Sequence, residues 1–421
     1  MIELSLARVS RLVQPSLLRW KAIHIAGTNG KGSIAAYISR LLTAGGVRWG
    51  RFTSPHLIDR WDCITVDEQV VREPLFRQVE DQVKHRDQRL GLGATEFEQL
   101  TATAFEVFDR EQVDVGVVEV GLGGRLDATN ILTNVLVSVI ANIGLDHEAF
   151  LGNNLEAIAS EKAGILKSGV PCVLDGTNDP VALRVLQARS AELKNNAAIA
   201  EPRMVGRQFP NLAQLWEQGD FEPHQKANMA CAVLAVQKAL AQIKPEKNVD
   251  DLVPVLSSVQ WPGRLQHISL RDLVGYKQPA LLDGAHNGQS AKVLGQYVDR
   301  KFRRTEQPVT WVISASRGKN LAELFGPLIR PGDSVGTVAF GPVDGMPWVQ
   351  AVDPIQLAAS VKSLSGVTHV RDFGGQLLMA MEWASAMANG GPMVIAGSLY
   401  LVSDVLRLLR DRSSGRYAEY E

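Results

Sequence analysis

The chain has 421 residues, of which 45% are hydrophobic and 21% charged, so it is long enough for two globular domains. Its formal net charge of -1 argues against nucleic-acid-binding and anionic-membrane-binding proteins. No apolar run approaches the ~20 residues that span a bilayer, and no signal-peptide pattern follows Met1. Three scattered cysteines, Cys63, Cys172 and Cys231, lack metal-site spacing and indicate a reducing compartment. We therefore expect a cytoplasmic protein without nucleic-acid or membrane partners, an organellar pool being a second option.

The first elements in chain order are a predicted strand, a glycine-rich loop and a predicted helix. An alternating apolar run over residues 22–26 leads into a loop that begins at Gly27, and a helical pattern then continues to about Leu42. Backbone N–H groups, a helix N-terminus and a lysine ammonium together form a phosphate cradle. The spacing departs from G-x-x-x-x-G-K-[ST], but the strand and helix around it still predict a nucleoside triphosphate site. Its candidate residues are Thr28, Asn29, Gly30, Lys31, Gly32 and Ser33.

Strand-like and helical patterns alternate further along the chain. Residues 114–120 and 135–141 are short β-branched runs, which are typical of strands buried on both faces of a mainly parallel sheet. Helical spacing of apolar residues predicts helices over residues 95–110 and 224–241. Residues 176–226 are mixed and polar, and we expect them to be weakly structured.

A domain boundary is predicted where Pro262 and Gly263 punctuate the chain, because the alternation restarts after them. The later predicted strands cover residues 279–282, 309–314 and 393–396. The pattern therefore predicts an α/β protein with two units in series, a larger domain of residues 1–261 that binds the nucleotide and a smaller one of residues 262–421.

Ligands of open α/β sheets collect at the carboxyl ends of the strands. Glu119 lies at such an end, where an unpaired charge is costly, and we predict that it binds Mg²⁺ rather than solvent. Ser54 and His147 are weaker candidates by themselves, since a single histidine after a strand is more often structural. Residues 121–124 lack the spacing of a dinucleotide fingerprint, which argues against a dehydrogenase.

Seven segments carry a wider resemblance. They are residues 27–33 (GTNGKGS), 53–56 (TSPH), 119–130 (EVGLGGRLDATN), 145–147 (LDH), 161–165 (EKAGI), 262–264 (PGR) and 283–287 (DGAHN). In this order they resemble the folylpolyglutamate synthase and dihydrofolate synthase family of ATP-dependent Mur-type amide ligases. Further segments, such as residues 95–98 and 397–401, resemble the monofunctional fungal members. The resemblance implies a Mur ligase-like fold, with a parallel-sheet P-loop ATPase domain followed by a smaller Rossmann-like α/β domain.

The family's reaction is ATP-driven amide formation through an acyl phosphate. The resemblance implies that L-glutamate is joined to 7,8-dihydropteroate to give 7,8-dihydrofolate, in folate biosynthesis, by a monomeric enzyme. One alternative is a folylpolyglutamate synthase, or a bifunctional enzyme, that extends tetrahydrofolate. A different class, a nucleotide-binding regulator without ligase chemistry, is disfavoured because the phosphate and metal residues are all present.

The resemblance also implies roles for the residues around the phosphates. Lys31 should pair with the β- and γ-phosphates of ATP. Ser54 and Glu119 should bind a first Mg²⁺ ion, and His147 should bind a second. Lys162 falls at a position that family members often carbamylate, and a carbamate there would help to hold the second ion. The alternative for Lys162 is a solvated helix residue.

The remaining implied roles concern the nucleotide and the two other substrates. Asn228, Arg264 and Asp283 match nucleotide-binding positions, and the last two lie past the predicted boundary, so that ATP would be held between the domains. Positions near the glutamate, the acyl phosphate or the pterin are matched by His286, Ser398, Thr95 and Asp127.

Overall fold

Strands and helices alternate along the chain in a computed structural model that describes residues 5–14, 18–303, 307–365, 367 and 369–413. The first of two units consists of Met1–His56 with Trp61–Val259. The second consists of Leu57–Arg60 with Gln260–Glu421. Among the described residues, no helix combines the length and the apolar character that crossing a bilayer requires.

The first unit is built on a sheet in which eight strands are described. They are β1 (Lys21–Ala26), β2 (Trp49–Phe52), β3 (Ile64–Val66), β4 (Gln69–Val70), β5 (Val115–Glu119), β6 (Val135–Ile140), β7 (Cys172–Asp175) and β8 (Ala197–Ala200). Their order is β4-β3-β2-β5-β1-β6-β7-β8. The neighbouring pairs β2–β5, β5–β1, β1–β6, β6–β7 and β7–β8 are parallel. The pairs β2–β3 and β3–β4, at one edge of the sheet, are antiparallel. The apolar β-branched composition of β5 and β6 thus correctly predicted buried parallel strands.

Helices cover both faces of this sheet with separate apolar clusters. Those described are α1 (Ala7–Val13), α2 (Lys31–Ala44), α3 (Glu73–Leu90), α4 (Glu96–Arg110), α5 (Glu148–Leu151), α6 (Leu155–Ala163), α7 (Pro180–Glu192), α8 (Pro202–Gln208), α9 (Pro210–Gln218) and α10 (Pro223–Ile243). The expectation of a weakly structured segment over residues 176–226 was wrong. Asp179 and Glu201 each cap a helix that starts with proline, and the polar composition belongs to the solvated faces of α7 to α9.

A second sheet, with six described strands, forms the centre of the second unit. Its strands are β9 (Gln266–Leu270), β10 (Tyr276–Asp283), β11 (Thr310–Ile313), β12 (Ser334–Thr337), β13 (His369–Asp372) and β14 (Met393–Ala396), in the order β13-β12-β11-β14-β10-β9. Only β9 runs antiparallel to its neighbour among these strands. The accompanying helices are α11 (Arg271–Val274), α12 (Gly288–Lys301), α13 (Leu321–Phe325), α14 (Pro354–Ser365), α15 (Leu377–Ala388) and α16 (Leu399–Ser413).

Strand register brings the candidate loops of the first unit to one edge of its sheet. Ile25 in β1 pairs with Glu119 in β5, and Ala26 pairs with Ile140 in β6. The loops that follow these three strands therefore start side by side. Gly27 begins the first loop with a φ of 152°, and a Cβ atom there would lie 2.7 Å from the Cβ of Ala141, so only glycine fits this close approach.

Candidate functional site

The phosphate loop of the first unit connects β1 to the N-terminus of α2. Gly30 occupies the N-cap position with a φ of 89° and has no side chain that could cap the helix. A Cβ atom at Gly30 would collide with Oδ1 of Asn228, which places this predicted nucleotide-binding residue of α10 against the loop. The first N–H groups of a 14-residue helix are thus left for an anion, as a phosphate site requires.

The loop is fixed by the segment that follows β6. The backbone N–H groups of Thr28 and Asn29 donate to the carbonyl oxygen of Asn142 over 2.8 and 3.1 Å. The Thr28 hydroxyl donates to Gly144 O and accepts from Gly144 N, both at 3.0 Å. The shape of the phosphate loop is therefore set by the segment that follows β6.

Three ionisable side chains converge at this loop. Lys31 Nζ lies 3.7 Å from Glu119 Oε1 and donates a 3.3 Å hydrogen bond to Thr28 O. The Lys31 side chain is 16% exposed and that of Glu119 is 7% exposed. Lys162 reaches the same loop from α6, where its Nζ donates to Gly27 O over 2.9 Å. A carboxylate and two amines are thus held together with little access to water.

The surroundings of Lys162 change its proton affinity. Burial lowers the pKa of Lys162 to about 7, and the positive charge of Lys31 acts in the same direction. Asp146 and Asp127 oppose this shift of the Lys162 pKa. A large part of the Lys162 population is therefore an uncharged amine at neutral pH.

Lys162 is not the solvated helix residue that was the alternative prediction. The residue is only 4% exposed. Its neighbour Glu161 forms a different ion pair, since its Oε1 accepts from Arg125 Nη2 over 2.9 Å. The Lys162 amine instead points inward to Gly27 O. The end of α6 packs closely on Gly124, where a Cβ atom would lie 2.8 Å from Glu161 O.

Besides Glu119, the predicted metal ligands are Ser54 and His147. Phe52 of β2 pairs with Val118 of β5, so Ser54 follows its strand at the edge where Glu119 lies. His147 has a φ of 54° and is exposed at the start of α5, and its backbone N–H donates to Asp146 Oδ1 over 2.9 Å. Metal ligation by His147 stays a prediction.

Within the described part of the chain, no three His, Cys, Asp or Glu side chains come together as a metal site. Mg²⁺ is commonly held by one or two carboxylates together with phosphate oxygens and water. The donors at Glu119 and Ser54 therefore fit a magnesium ion that arrives with a nucleotide.

Two predicted substrate residues of the first unit have structural tasks. Thr95 caps α4 by accepting from Glu98 N at 3.2 Å, while the Glu98 carboxylate accepts from Thr95 N at 2.7 Å. Asp127 is buried and accepts from the N–H groups of Leu122 and Thr129 over 2.8 and 3.0 Å. Burial raises the pKa of Asp127, and its hydrogen bonds counter that increase. Contact of either residue with a pterin stays a prediction.

In the second unit Asp283 organises the end of β10. Its carboxylate accepts from the N–H groups of Leu265 and Ala285, each over 2.8 Å. Burial raises the pKa of Asp283, and the nearby Arg264 charge partly offsets this. Arg264 itself donates to Gly263 O over 3.0 Å. The two predicted nucleotide residues of this unit are thus neighbours.

His286 and Ser398 lie in loops that follow two neighbouring strands of the second sheet. Asp283 pairs with Ala396, so the loops after β10 and β14 begin side by side. His286 Nδ1 lies 2.8 Å from the carbonyl oxygen of Gly284, which makes Nδ1 the protonated nitrogen. Ser398 is buried, and its hydroxyl oxygen accepts from Tyr400 N over 3.2 Å.

The sequence prediction missed His24, a fully buried residue of β1. Its Nε2 lies 2.8 Å from the hydroxyl oxygen of Thr129, which contacts Asp127 in turn. Burial lowers the pKa of His24 to about 3, with a smaller contribution from the charge of Lys167. A polar side chain within the apolar run of residues 22–26 was the available signal.

Comparison with known proteins agrees with this geometry. A family model described as the C-terminal domain of dihydrofolate synthetase matches residues 266–408. The chain is 37% identical over 405 residues to the probable dihydrofolate synthetase of Schizosaccharomyces pombe, which covers 92% of this chain and 93% of the relative. It is 36% identical to the dihydrofolate synthetase of Saccharomyces cerevisiae, with coverage of 97% and 98%.

Solved structures extend the agreement to the fold. The folylpolyglutamate synthase of Mycobacterium tuberculosis, solved with ADP and AMPPCP, has a TM-score of 0.79 and 27% identity, and covers 96% of this chain and 95% of that chain. A bifunctional folylpolyglutamate synthase/dihydrofolate synthase solved with Mn, AMPPNP and L-glutamate has a TM-score of 0.76 and 26% identity, with coverage of 97% and 95%. The predicted Mur ligase-like α/β fold is confirmed. The chain belongs to the folylpolyglutamate synthase and dihydrofolate synthase family of Mur-type ligases.

Proposed function

We propose that the protein is a dihydrofolate synthase, which uses ATP to join L-glutamate to 7,8-dihydropteroate. The observation that carries this proposal is the largely buried group of Lys31, Glu119 and Lys162 around the uncapped N-terminus of α2. The two yeast relatives, whose names specify this activity, support the choice of substrate.

Lys31 and the N-terminus of α2 bind the phosphates. Both present positive charge at one place, and fixed donors stabilise the charge that gathers on phosphate oxygens during phosphoryl transfer. Bound Mg-ATP supplies the phosphoryl group that activates the pteroate carboxylate and the cation that shields the phosphate oxygens. Asn228, Arg264 and Asp283 are proposed to bind the rest of the nucleotide.

Glu119 has two successive partners in this proposal. The Lys31 ammonium balances its buried carboxylate over 3.7 Å. Glu119 and Ser54 would hold a magnesium ion, which would supply positive charge in place of that partner, and Lys31 would then face the phosphates. The exchange keeps the carboxylate neutralised at every stage, as its burial demands.

Lys162 is proposed to carry a carbamate. Its uncharged amine can form an N–C bond to carbon dioxide and release a proton, which yields a negatively charged group beside the phosphate loop. The pKa of about 7 supports this reaction, because the amine must be unprotonated to attack. The carbamate and His147 would then hold a second magnesium ion, as neutral amine alone could not.

The other two substrates are assigned to the remaining loops. His286 and Ser398 are proposed to lie near the incoming glutamate, and the loop that ends at Asp127, together with Thr95, near the pterin. The amine of glutamate has to attack the activated carboxyl group in the absence of water, because an acyl phosphate hydrolyses readily. We further propose that the protein acts as a cytoplasmic monomer.

The test is ADP release by the purified protein with Mg-ATP and L-glutamate, supplied with either 7,8-dihydropteroate or tetrahydrofolate. The proposal expects release with dihydropteroate and little with tetrahydrofolate. Release with tetrahydrofolate as well would identify a bifunctional enzyme. Release with tetrahydrofolate alone would identify a folylpolyglutamate synthase and overturn the proposal.

A further inference from the structure

Three buried side chains form a continuous relay inside the first unit. His24 Nε2 lies 2.8 Å from Thr129 Oγ1, and Thr129 Oγ1 lies 2.5 Å from Asp127 Oδ1. His24 and Thr129 are 0% exposed, and Asp127 is 3% exposed. The relay therefore joins the central strand β1 to the loop after β5 without contact with solvent.

The direction of the relay follows from the donors available. The two oxygens of Asp127 already accept from the N–H groups of Leu122 and Thr129, so the carboxylate acts as the acceptor. The single proton of the Thr129 hydroxyl then points to Asp127, and its oxygen is left to accept from His24. His24 must carry its proton on Nε2. Consistently, Nδ1 of His24 is buried without a hydrogen-bond partner among the described residues.

The relay ends on a loop that matters for the site. Asp127 binds Leu122 N over 2.8 Å and thereby closes residues 122–127 into a turn, directly after the strand that carries Glu119. At its other end His24 lies in the strand that delivers the phosphate loop. A shift of Asp127 would therefore move the proposed pterin loop relative to the phosphate loop.

We propose that His24 is a positioning residue, which, as the Nε2–H tautomer, orients the Thr129 hydroxyl toward Asp127 and so fixes the loop of residues 122–127 for the pterin substrate. This role rests on the proposed function, because it assigns the pterin to that loop. His24 itself touches neither substrate nor nucleotide, since it is enclosed within β1 and its neighbours.

Two amide substitutions separate the role of the donor from that of the ring. In His24→Gln the side-chain amide N–H can reach the place of Nε2, whereas in His24→Asn the shorter side chain carries it near the place of Nδ1. Both variants are polar and uncharged, and thermal unfolding shows whether each is folded. Ser138→Ala is the matched control, because Ser138 is buried in the adjacent strand β6 but bonds to Ile165 O instead of Asp127.

The kinetic readout is KM for each substrate. His24→Asn should raise KM for dihydropteroate about tenfold and change KM for ATP less than about twofold, because a misplaced loop affects one substrate. His24→Gln should stay within about threefold of the wild type, and Ser138→Ala should change neither KM. In combination with Thr129→Val, His24→Asn should add little further effect, since both changes break the same relay.

A spectroscopic readout tests the relay without turnover. Protein labelled with ¹⁵N-histidine has eight histidines, and the signals that disappear in His24→Gln belong to His24. The nitrogen shifts should show a proton on Nε2 and none on Nδ1 at pH 7. A proton on Nδ1, or on both nitrogens, would overturn the relay.

The outcomes distinguish the two proposals. If the wild type turns over dihydropteroate but His24→Asn and His24→Gln behave alike, the positioning role is wrong and the proposed function stands. If the wild type uses neither dihydropteroate nor tetrahydrofolate, the proposed function fails and the role in pterin binding fails with it. If His24→Asn raises the KM of ATP as strongly as that of dihydropteroate, the substrate-specific role is overturned.

Discussion

The two units employ their polar residues in different ways. In the first unit, charged side chains face one another, with Lys31 and Glu119 at 3.7 Å and Lys162 bound to the same loop. In the second unit, Asp283 accepts from Ala285 N and His286 donates to Gly284 O, both backbone groups of the loop after β10, over 2.8 Å. Side-chain pairs can exchange partners when a nucleotide and a metal arrive. Hydrogen bonds from a side chain to backbone groups instead set the shape of a loop before any ligand binds. In the proposed function, the first unit accordingly carries the charge chemistry and the second unit supplies fixed geometry.

The strongest test of this difference removes one charge of the first unit. Glu119→Ala and Lys31→Ala should each lower kcat/KM by about a thousandfold or more, because each deletes a group that faces the phosphates or their metal ion. Glu192→Ala is the control, since Glu192 forms an exposed pair with Arg189 on α7. Steady-state ADP release measures all three. If Glu119→Ala retained more than about a tenth of wild-type activity, the metal assignment would be lost.

A smaller loss of activity is expected when a side chain of the second unit that binds backbone groups is removed. Asp283→Ala should raise KM for ATP by about tenfold or more and lower the free energy of unfolding by about 1–3 kcal/mol, since two buried N–H groups lose their acceptor. Titration of nucleotide binding and chemical denaturation measure the two quantities. A loss of activity with unchanged stability and unchanged KM would show that Asp283 acts as a reacting charge. The second unit would then not be limited to fixing loop geometry.

Asp127 combines both kinds of interaction, because its carboxylate accepts from backbone N–H groups and from the Thr129 hydroxyl. Asp127→Ala should raise KM for dihydropteroate about tenfold with a smaller change in KM for ATP, as it releases the turn over residues 122–127. Asp179→Ala, which removes the cap of α7, should cost about 1 kcal/mol of stability and leave both KM values unchanged. If the KM for dihydropteroate were the same in Asp127→Ala and in the wild type, the proposed role of Asp127 in pterin binding would be wrong.

The smallest expected effect concerns acid stability. Folding lowers the pKa of His24 from 6.5 to about 3, so the unfolded state binds more protons as the pH falls below 6.5 and the wild type loses stability. Between pH 8 and pH 5.5 this contribution amounts to about 1 kcal/mol, and His24→Gln should lack it. His267→Gln in the second unit should show a smaller change, because His267 is exposed on β9. Urea denaturation at the two pH values makes the comparison, and equal losses in wild type and His24→Gln would contradict it.

The sequence predicted the first unit well where a local pattern carries the information. The apolar runs before Gly27 and Glu119 predicted parallel strands, and the loop around Lys31 predicted a helix start, because these features depend on neighbours in sequence. The helices of residues 176–226 escaped prediction, since their short amphipathic faces are hidden in a polar composition.

Long-range contacts were outside the reach of the sequence pattern. The burial of Lys162 depends on Gly27, which lies 135 residues away in the chain, and the relay joins His24 to a residue 105 positions later. No local spacing encodes such pairs, and only the folded sheet brings them together. Roles assigned by resemblance, such as those of His147 and Ser398, stay predictions because they concern ligands.

The acyl phosphate route is tested most directly by tracing one carboxylate oxygen atom with an isotope label. Dihydropteroate labelled with ¹⁸O in its carboxylate is incubated with the enzyme, Mg-ATP and L-glutamate, and mass spectrometry examines the released phosphate and the folate product. If the carboxylate attacks the γ-phosphate and glutamate then displaces phosphate, each phosphate should carry one ¹⁸O and the product should be dihydrofolate. Unlabelled phosphate alongside dihydrofolate would contradict the acyl phosphate route, and phosphate release without dihydrofolate would contradict the ligase itself.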